Sequence, residues 1–264
     1  WAPDVYEGAP TPVTAFLSVA SKTAGFVALL ALVFVGFYGR ADVWEPLVWV
    51  LSAASMTIGN LVALRQTNMV RLMAYSGVAQ TGFMIAPLAV AGHSVATGDQ
   101  ALSATVTYLA IYAAMNLGVF AVVITFARRT GSAEISSYAG AFHYAPGLTL
   151  AMTAFLFSLA GIPPLGGWFA KFEVFRVLVT AGEPWGYVLA VVAAVNSVIA
   201  LFYYAAIARR MWAEDVPDGD LSPVPVTPSL VSALALCGIV TLAFGVAPQA
   251  VARFTDVSLL ALGG

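Results

Sequence analysis

The sequence predicts an all-α polytopic membrane protein that crosses the bilayer about seven times. Hydrophobic residues make up 61% of the 264 residues and charged residues only 9%, whereas a soluble domain carries about 25% charge. The mean hydropathy is +0.90. The apolar residues also form continuous runs, which is typical of membrane helices, and they do not alternate with polar residues as in barrel strands.

Seven runs reach the length of about 20 residues that a helix needs to cross the hydrocarbon core. They cover roughly residues 13–38, 44–64, 72–92, 101–127, 148–179, 185–208 and 229–249. We interpret residues 1–264 as one membrane domain built from these spans. The first twelve residues are expected to form a loop, and their appearance favours a fragment of a longer polypeptide.

The loops between the runs alternate in charge, because arginine is concentrated in every second loop. These loops cover residues 65–71, 128–147 and 209–228. The positive-inside rule places all three in the cytoplasm, so the C-terminus after residue 249 is predicted to lie outside. The acidic run in the last loop is interpreted as a solvated linker and comprises Glu214, Asp215, Asp218 and Asp220.

The composition also argues against several classes of function. A formal net charge of −2 provides no basic surface for nucleic acid. The sequence shows no metal-ligand spacing of His and Cys, no glycine-rich phosphate loop and no catalytic triad. We therefore predict no metal site and no cofactor site in this chain. Cys237 lies in an apolar run, and His93 and His143 each stand alone in loops, so none of them is assigned a function.

Both lysines of the chain lie inside apolar runs. Lys22 is in the first run and Lys171 in the fifth, and each lies about 13 Å from the nearer end of its run. A charge at such depth costs about 2.5–3.5 kcal/mol on insertion scales. Lysine, unlike arginine, can lose its proton when it is desolvated. We predict that both lysines carry protons across the membrane. One alternative is that the amines snorkel to the headgroups, for which this depth leaves little reach, and the other is that each forms a static pair with an acid on a neighbouring helix.

The fifth run is interrupted by the sequence GIPPLGG. Pro163 and Pro164 remove backbone donors and clash with the preceding turn, and Gly161, Gly166 and Gly167 permit irregular backbone. This composition predicts two half-helices joined by an extended segment near 161–167. The alternative is a simple packing kink.

Broken helices near the bilayer centre mark ion sites in transporters. The first half-helix would end in free carbonyl groups, a negative pole suited to a cation. The second would begin with free amides, and Lys171 follows within its first turns. That positive pole is expected to favour release of the lysine proton.

Uncharged polar residues inside the spans are candidates for a polar path between the lysines. The candidates are Ser76, Gln80, Tyr108, Tyr112, Asn116 and Glu173, with Asn60, Thr107, Asn196, Tyr203 and Tyr204 as further members. Such side chains either hold ordered water or join neighbouring helices. Glu173 lies three residues before Arg176 on one helix face. An ion pair between them is favoured over a role for Glu173 as a proton exit group.

Four stretches resemble one family. WAPDVYEGAPTPV and FLSVASK near the start, QTNMVRLMAYSGVAQTGFM around the third run and SLAGIPPLGGWFAKF in the fifth resemble the proton-pumping, antiporter-like membrane subunits of respiratory complex I. The resemblance covers nearly the whole chain. Lysine at both Lys22 and Lys171 favours the N-type subunit of bacterial NADH–quinone oxidoreductase, because the M-type usually carries glutamate at the second position and the L-type histidine at the first. The plastid branch looks similar and stays open.

The resemblance implies a fold of fourteen helices with two inverted five-helix repeats. This chain would hold the last seven helices, which are the second repeat and its flanking helices. Lys22 would be the central lysine and Lys171 the terminal one, and the lysine–glutamate pair of the first half-channel would lie upstream. Some members carry histidine where Gln80 stands, so a relay through this glutamine would need water.

The resemblance also implies partners and a location. The chain would lie in the bacterial plasma membrane with other membrane subunits of complex I, including neighbouring antiporter-like subunits, with its own N-terminal half and with lipids. NADH, FMN, iron–sulfur clusters and quinone would belong to other subunits, where electron transfer drives the pump. Two alternatives stay open. One is a subunit of a cation/proton antiporter or membrane-bound hydrogenase, and the other is a structural membrane scaffold.

Overall fold

The computed structural model describes residues 1–217 and 219–249, and this part of the chain is helical without a β-strand. Within these described ranges, nine α-helices follow one another. They are α1 (Ala2–Gly8), α2 (Thr11–Gly36), α3 (Ala41–Ala63), α4 (Met69–Ile85), α5 (Val95–Thr130), α6 (Pro146–Ala160), α7 (Gly166–Thr180), α8 (Pro184–Ala213) and α9 (Pro228–Val246). One π-helical turn interrupts α2 at Leu17–Ser21 and a second ends it at Leu32–Gly36, and α4 continues as a 3₁₀ turn over Ala86–Val90.

Six helices of the described part are long and apolar enough to cross a membrane, namely α2, α3, α4 with its 3₁₀ turn, α5, α8 and α9. They coincide with six of the predicted spans. The remaining predicted span, 148–179, consists of α6 and α7, which have 15 residues each. The prediction of an all-α membrane fold with a broken fifth span is therefore confirmed.

The ends of the chain differ in part from the prediction. The first twelve residues contain the helix α1 and do not form a loop throughout. Arg71 of α4 holds this helix, because it donates to Asp4 at 2.9 Å and to Glu7 at 2.7 Å. The predicted outside location of the C-terminus after residue 249 concerns residues that lie outside the described part.

The break in the fifth span covers residues 161–165 and is shorter than predicted. Gly161 has a φ of +96°, in the left-handed region that favours glycine, and the peptide bond between Pro163 and Pro164 is cis. Irregular backbone at Gly166 and Gly167 is a wrong prediction, because both residues are helical and begin α7.

Close packing explains why glycine stands at the start of α7. A Cβ atom on Gly167 would lie 1.7 Å from the carbonyl oxygen of Ser158, and one on Gly166 would lie 2.9 Å from the carbonyl oxygen of Thr241. The two half-helices and α9 therefore approach each other more closely than any other residue type permits. Gly166 and Gly167 are buried at this contact, whereas Pro163 and Pro164 within the break are exposed.

The two most buried spans lie at the centre of the bundle. In α4 and α5, 83% and 78% of the spanning windows are buried inside the chain, compared with 11% in α9. The broken pair α6–α7 packs against α5, and α8 contacts both half-helices. Side chains from α4, α5 and α8 therefore face the break.

The acidic run after α8 lies outside the helices in a mostly exposed segment, as a solvated linker would, and two of its carboxylates pair with arginines. Glu214 pairs with Arg209 at 3.4 Å and Arg210 at 3.1 Å, and Asp220 pairs with Arg129 at 3.3 Å. Hydrogen bonds from the Ser222 amide and hydroxyl, followed by Arg129, hold the pKa of the Asp220 carboxyl below its usual range. Asp218 lies outside the described residues.

Candidate functional site

The break frees two carbonyl groups at the end of α6. Gly161 and the residue after it donate back to the carbonyls of Ser158 and Phe157, at 2.9 and 3.0 Å, in the pattern of a Schellman cap. The carbonyl oxygens of Leu159 and Ala160 instead receive side-chain donors from other helices. The end of α6 therefore presents a negative pole to groups inside the bundle.

Lys171 binds the second of these two carbonyls, that of Ala160. Its side chain comes from the second turn of α7 and is only 4% exposed. The Nζ atom donates to the carbonyl oxygen of Ala160 at 2.8 Å and to the hydroxyl of Ser197 at 3.3 Å. It also lies 4.5 Å from the ring centroid of Phe83, within the range of a cation–π interaction. These neighbours are all electrically neutral.

The direction of this side chain differs from the prediction. The positive amide pole of α7 was expected to favour release of the lysine proton, but the Lys171 amine turns back across the break to the carbonyl end of α6. The α7 amide of Gly167 is instead capped by the hydroxyl of Ser158 at 3.0 Å. The carbonyl pole of α6 stabilises an ammonium ion at this position.

Gln80 binds the other carbonyl, that of Leu159, and joins α4 to the three helices α5, α6 and α8. Its Nε2 atom donates to the carbonyl oxygen of Leu159 at 3.1 Å, and its Oε1 atom accepts from the hydroxyl of Tyr108 at 2.6 Å. Nε2 also lies 3.5 Å from the hydroxyl of Tyr204. Because Leu159 precedes Ala160, Gln80 and Lys171 contact neighbouring carbonyls of the same helix end.

A second polar branch extends from Gln80 along α8. The hydroxyls of Tyr204 and Ser76 lie 2.5 Å apart, and the rings of Tyr203 and Tyr204 have centroids 4.4 Å apart. Tyr203 donates to Asn60 Oδ1 at 3.0 Å. Asn60 in turn donates to Asn196 on α8. All five side chains are buried.

Lys22 occupies a different environment. Its amine donates to the carbonyl oxygen of Gly77 at 2.7 Å and to the hydroxyl of Tyr112 at 3.3 Å. Gly77 lies inside the continuous helix α4, so this carbonyl is shared with the helix. Lys22 also lines an open cleft of about 370 Å³ that reaches Tyr6 and Trp1.

Tyr112 and Tyr108 connect the two lysine environments along α5. They lie four residues apart, which places them about one turn apart on the same helix face. Tyr112 contacts Lys22, and Tyr108 contacts Gln80. The buried polar groups between the two lysines therefore belong mainly to α4 and α5, the central helices of the bundle.

Within residues 1–217 and 219–249, neither lysine forms an ion pair. Lys171 is the one charged side chain among the buried residues of that part. The expected alternative of a static pair with an acid on a neighbouring helix therefore has no support there. Each amine is held by neutral oxygen atoms.

Two of the predicted path residues lie away from this chain of contacts. Asn116 donates to Ser18 at 2.7 Å, and its Oδ1 atom is buried without a partner. Glu173 pairs with Arg176 at 2.5 Å. Ser76, Gln80, Tyr108 and Tyr112, in contrast, are brought together with the lysines.

Two kinds of polar group that contact the lysines or Gln80 were not predicted from the sequence: one side chain and several backbone carbonyls. Ser197 was not selected, although it directly follows Asn196 in an apolar run, and polar pairs of this kind are a usable signal. The carbonyls of Gly77, Leu159 and Ala160 have no signature in the sequence except the break itself. No group of three or more His, Cys, Asp or Glu side chains in the described part is placed to hold a metal ion.

Comparison with known proteins gives consistent matches. Residues 1–197 match the family described as NADH:quinone oxidoreductase/Mrp antiporter, TM. The chain is 41% identical to NADH-quinone oxidoreductase subunit N 2 of Solibacter usitatus over 98% of its length, which is 51% of that protein. It is 45% identical to NAD(P)H-quinone oxidoreductase subunit 2 of Synechocystis over 80% of its length, which is 39% of that protein. The chain thus spans about half the length of the curated relatives it matches.

Solved structures match as well. A chain of respiratory complex I from Thermus thermophilus with bound aureothin aligns with 96% of this chain and 53% of its own length, with a TM-score of 0.75 and 31% identity. A chain of the Mrp complex from Dietzia aligns with 99% of this chain and 55% of its own length, with a TM-score of 0.87 at 22% identity. The latter similarity shows a shared fold.

Proposed function

Because the chain belongs to the NADH:quinone oxidoreductase/Mrp antiporter transmembrane family, we propose that it translocates protons as an antiporter-like subunit of NADH–quinone oxidoreductase. Lys22 and Lys171 are the proton carriers. One observation carries this proposal: each amine is held by neutral oxygens without a carboxylate partner in the described part of the chain. An amine in such a site can exist with or without its proton.

The two states of Lys171 have different physical requirements. The ammonium is stabilised by the carbonyl pole of α6 and by the Phe83 ring. Burial opposes the charge, and the neutral amine can still donate to Ala160. The site therefore holds the side chain in one place while its charge changes, which is what a proton carrier needs.

The electrostatic interaction between neighbouring proton carriers is sufficient to couple their protonation. Two unit charges about 10 Å apart interact by roughly 1.7 kcal/mol at an effective dielectric constant of 20. This energy changes a protonation equilibrium by about tenfold. Protonation of one carrier therefore favours proton release from the next, and electron transfer elsewhere in the complex would drive the sequence.

The groups between the lysines relay protons to different degrees. The hydroxyls of Tyr112 and Tyr108 can accept one proton while they release another. Gln80 cannot titrate, so it orients the Tyr108 hydroxyl and the end of α6. Water beside Gln80 would complete the transfer to Lys171.

The proposed function implies a location and a set of partners for the chain. The chain would lie in the bacterial plasma membrane, with loops 65–71, 128–147 and 209–228 in the cytoplasm. Its partners would be other membrane subunits of the complex, including neighbouring antiporter-like subunits, together with a first half-channel corresponding to the length of the relatives that this chain does not span. NADH, FMN, iron–sulfur clusters and quinone would be bound by other subunits.

Separate Lys22→Ala and Lys171→Ala variants in the assembled complex test the proposal. NADH-driven proton pumping should be lost in both while assembly is retained. Arg176→Ala is a matched control, because Arg176 is a half-exposed cation on the same helix as Lys171. Normal pumping in both lysine variants would refute the proposed function.

A further inference from the structure

A π-helical turn over Leu17–Ser21 lies directly before Lys22 in α2. Such a turn holds one residue more than an α-helical turn, and it frequently occurs at functional sites. The hydroxyls of Ser18 and Thr23 donate to backbone carbonyls of α2 at 2.8 and 2.9 Å. Side chains therefore brace the turn on both sides.

The inward-facing residues of α2 recur at every fourth position through this turn. Lys22 is half-buried, and the other four are buried, namely Thr14, Ser18, Phe26 and Leu30. In a straight α-helix a spacing of four drifts by about 40° at each step, or about 160° from the first of these residues to the last. The extra residue of the π turn removes about 100° of this drift. Because of the turn, Lys22 faces the same side of the bundle as the buried residues before it.

Asn116 of α5 contacts the π turn directly. Its Nδ2 atom donates to the hydroxyl of Ser18 at 2.7 Å. Tyr112 lies one turn earlier on the same face of α5, and its hydroxyl accepts from the Lys22 amine at 3.3 Å. Ser18 and Lys22 are four residues apart, as are Tyr112 and Asn116, so the two contacts together set the rotation of α2 against α5.

The carbonyl oxygen of the Asn116 side chain argues against a purely structural role for this residue. Asn116 is 1% exposed, and among the described residues its Oδ1 atom has no hydrogen-bond partner. An unpaired buried acceptor opposes folding, so an apolar side chain of similar size would serve packing at least as well. The contact with Ser18 therefore explains the amide better than stability does.

We propose that Asn116 is a positioning residue for Lys22. Through Ser18 it holds the π turn of α2, and it thereby directs the lysine amine to the carbonyl of Gly77 and the hydroxyl of Tyr112. The inference rests on the proposed function, in which Lys22 carries protons.

Loss of the Asn116 contact is expected to change the rotation of α2. The π turn is a rare conformation, and without its partner on α5 it can tighten to an α-helical turn. Lys22 would then take the direction that Thr23 has now, about 100° away. The amine would leave both of its oxygen partners.

Asn116→Leu in the assembled complex tests the proposal. The leucine removes both the donor to Ser18 and the unpaired oxygen. NADH-driven pumping should fall by tenfold or more, because a misplacement of about 1 Å can cost about 100-fold, whereas the melting temperature of the complex should not decrease. Thr125→Val is the matched control, because the buried Thr125 hydroxyl donates to a carbonyl of α5 itself, and this variant should pump normally.

Deletion of Ala20 provides a readout that a structural role would not give. The deletion removes the extra residue of the π turn, so an α-helical turn gives Lys22 its present direction without help from Asn116. The deletion alone should therefore pump, and in combination with Asn116→Leu it should restore pumping to the rate of the deletion alone. Ser18→Ala, with and without the deletion, repeats the test if the Asn116→Leu complex does not assemble.

Several outcomes would overturn the inference. They are wild-type pumping in Asn116→Leu, a pumping defect that the deletion does not correct, loss of pumping in the deletion alone, and a melting temperature that falls together with the pumping rate. The proposed function is tested separately by Lys22→Ala. Normal pumping in Lys22→Ala would refute that function, whereas loss of pumping in Lys22→Ala with normal pumping in Asn116→Leu would leave the function without this positioning residue.

Discussion

The two lysines are the same chemical group held in two different ways. Lys171 is 4% exposed and binds a carbonyl that the helix break has released from α6. Lys22 is half-buried, borders an open cleft and binds a carbonyl inside the unbroken helix α4. The Lys171 site is therefore formed mainly by the backbone at the end of α6, whereas the Lys22 site depends on the space left by Gly77.

Because of this difference, the two lysine sites are sensitive to different substitutions. At Lys171 the backbone of α6 and α7 must keep its geometry, because in residues 1–217 and 219–249 the carbonyls of Leu159 and Ala160 accept only from Gln80 and the lysine. At Lys22 the missing side chain of Gly77 creates the room for the amine. A Cβ there would lie 3.3 Å from both Lys22 Nζ and the Tyr112 hydroxyl.

The largest effect is expected when the two half-helices are pushed apart. Gly167→Ala places a Cβ 1.7 Å from the Ser158 carbonyl oxygen, and the backbone must move to relieve the clash. We expect destabilisation at or above the upper end of about 1–3 kcal/mol, with loss of assembled complex on native gels. Gly25→Ala lies in open space on the helix of Lys22, and normal assembly of Gly25→Ala but not Gly167→Ala is the expected result. Equal assembly would contradict the packing argument.

Loss of the Gln80 amide should have the next largest effect. Gln80→Leu leaves the Leu159 carbonyl and the Tyr108 hydroxyl without partners, at about 1–3 kcal/mol for each buried group. Pumping should fall sharply, and the melting temperature of the complex should decrease. Gln100→Leu, which affects only a 3.4 Å contact to Thr180, serves as the control. A normal pumping rate in Gln80→Leu would show that the glutamine does not hold the path.

A matched pair of glycine variants compares the two lysine sites directly. Gly161→Ala is strained by a φ of +96° and places a Cβ 2.9 Å from Lys171 Cδ, and the backbone term alone costs about 1–2 kcal/mol. Gly77→Ala requires shifts of only a few tenths of an ångström. Initial rates of proton pumping should therefore fall more in Gly161→Ala than in Gly77→Ala. The reverse order would contradict the distinction between the two sites.

The smallest effect is expected at Glu173. Its pair with the half-exposed Arg176 contributes about 0–1 kcal/mol, so Glu173→Gln should pump at the wild-type rate. The proton-to-electron ratio measures this outcome. A loss of pumping with normal assembly would instead identify Glu173 as an exit group for Lys171.

Much of the fold could be predicted from the sequence, because bilayer thickness imposes a length on each apolar run. The break in the fifth span could also be predicted, because Pro163 and Pro164 remove backbone donors and cannot continue a helix. The roles of Gly166 and Gly167 were not predictable, because close packing against Ser158 and α9 depends on contacts distant in the sequence.

The candidate site was predictable only in part. Lys22 and Lys171 were selected because charge at depth is costly, and polar residues in the spans identified Gln80 and Tyr108. The sequence did not reveal that Lys171 turns towards α6, because a side-chain direction across a break depends on tertiary structure. The grouping of Tyr203, Tyr204 and Ser76 around Gln80 depends equally on how α8 packs against α4.

The central claim is that Lys171 works by changing its charge while the end of α6 holds it in place. Proton pumping by an assembled Lys171→Arg complex tests this most directly, because arginine keeps the positive charge and does not release its proton. The account predicts that the complex assembles and that pumping is lost. Pumping at the wild-type rate would contradict it and would assign Lys171 a static role.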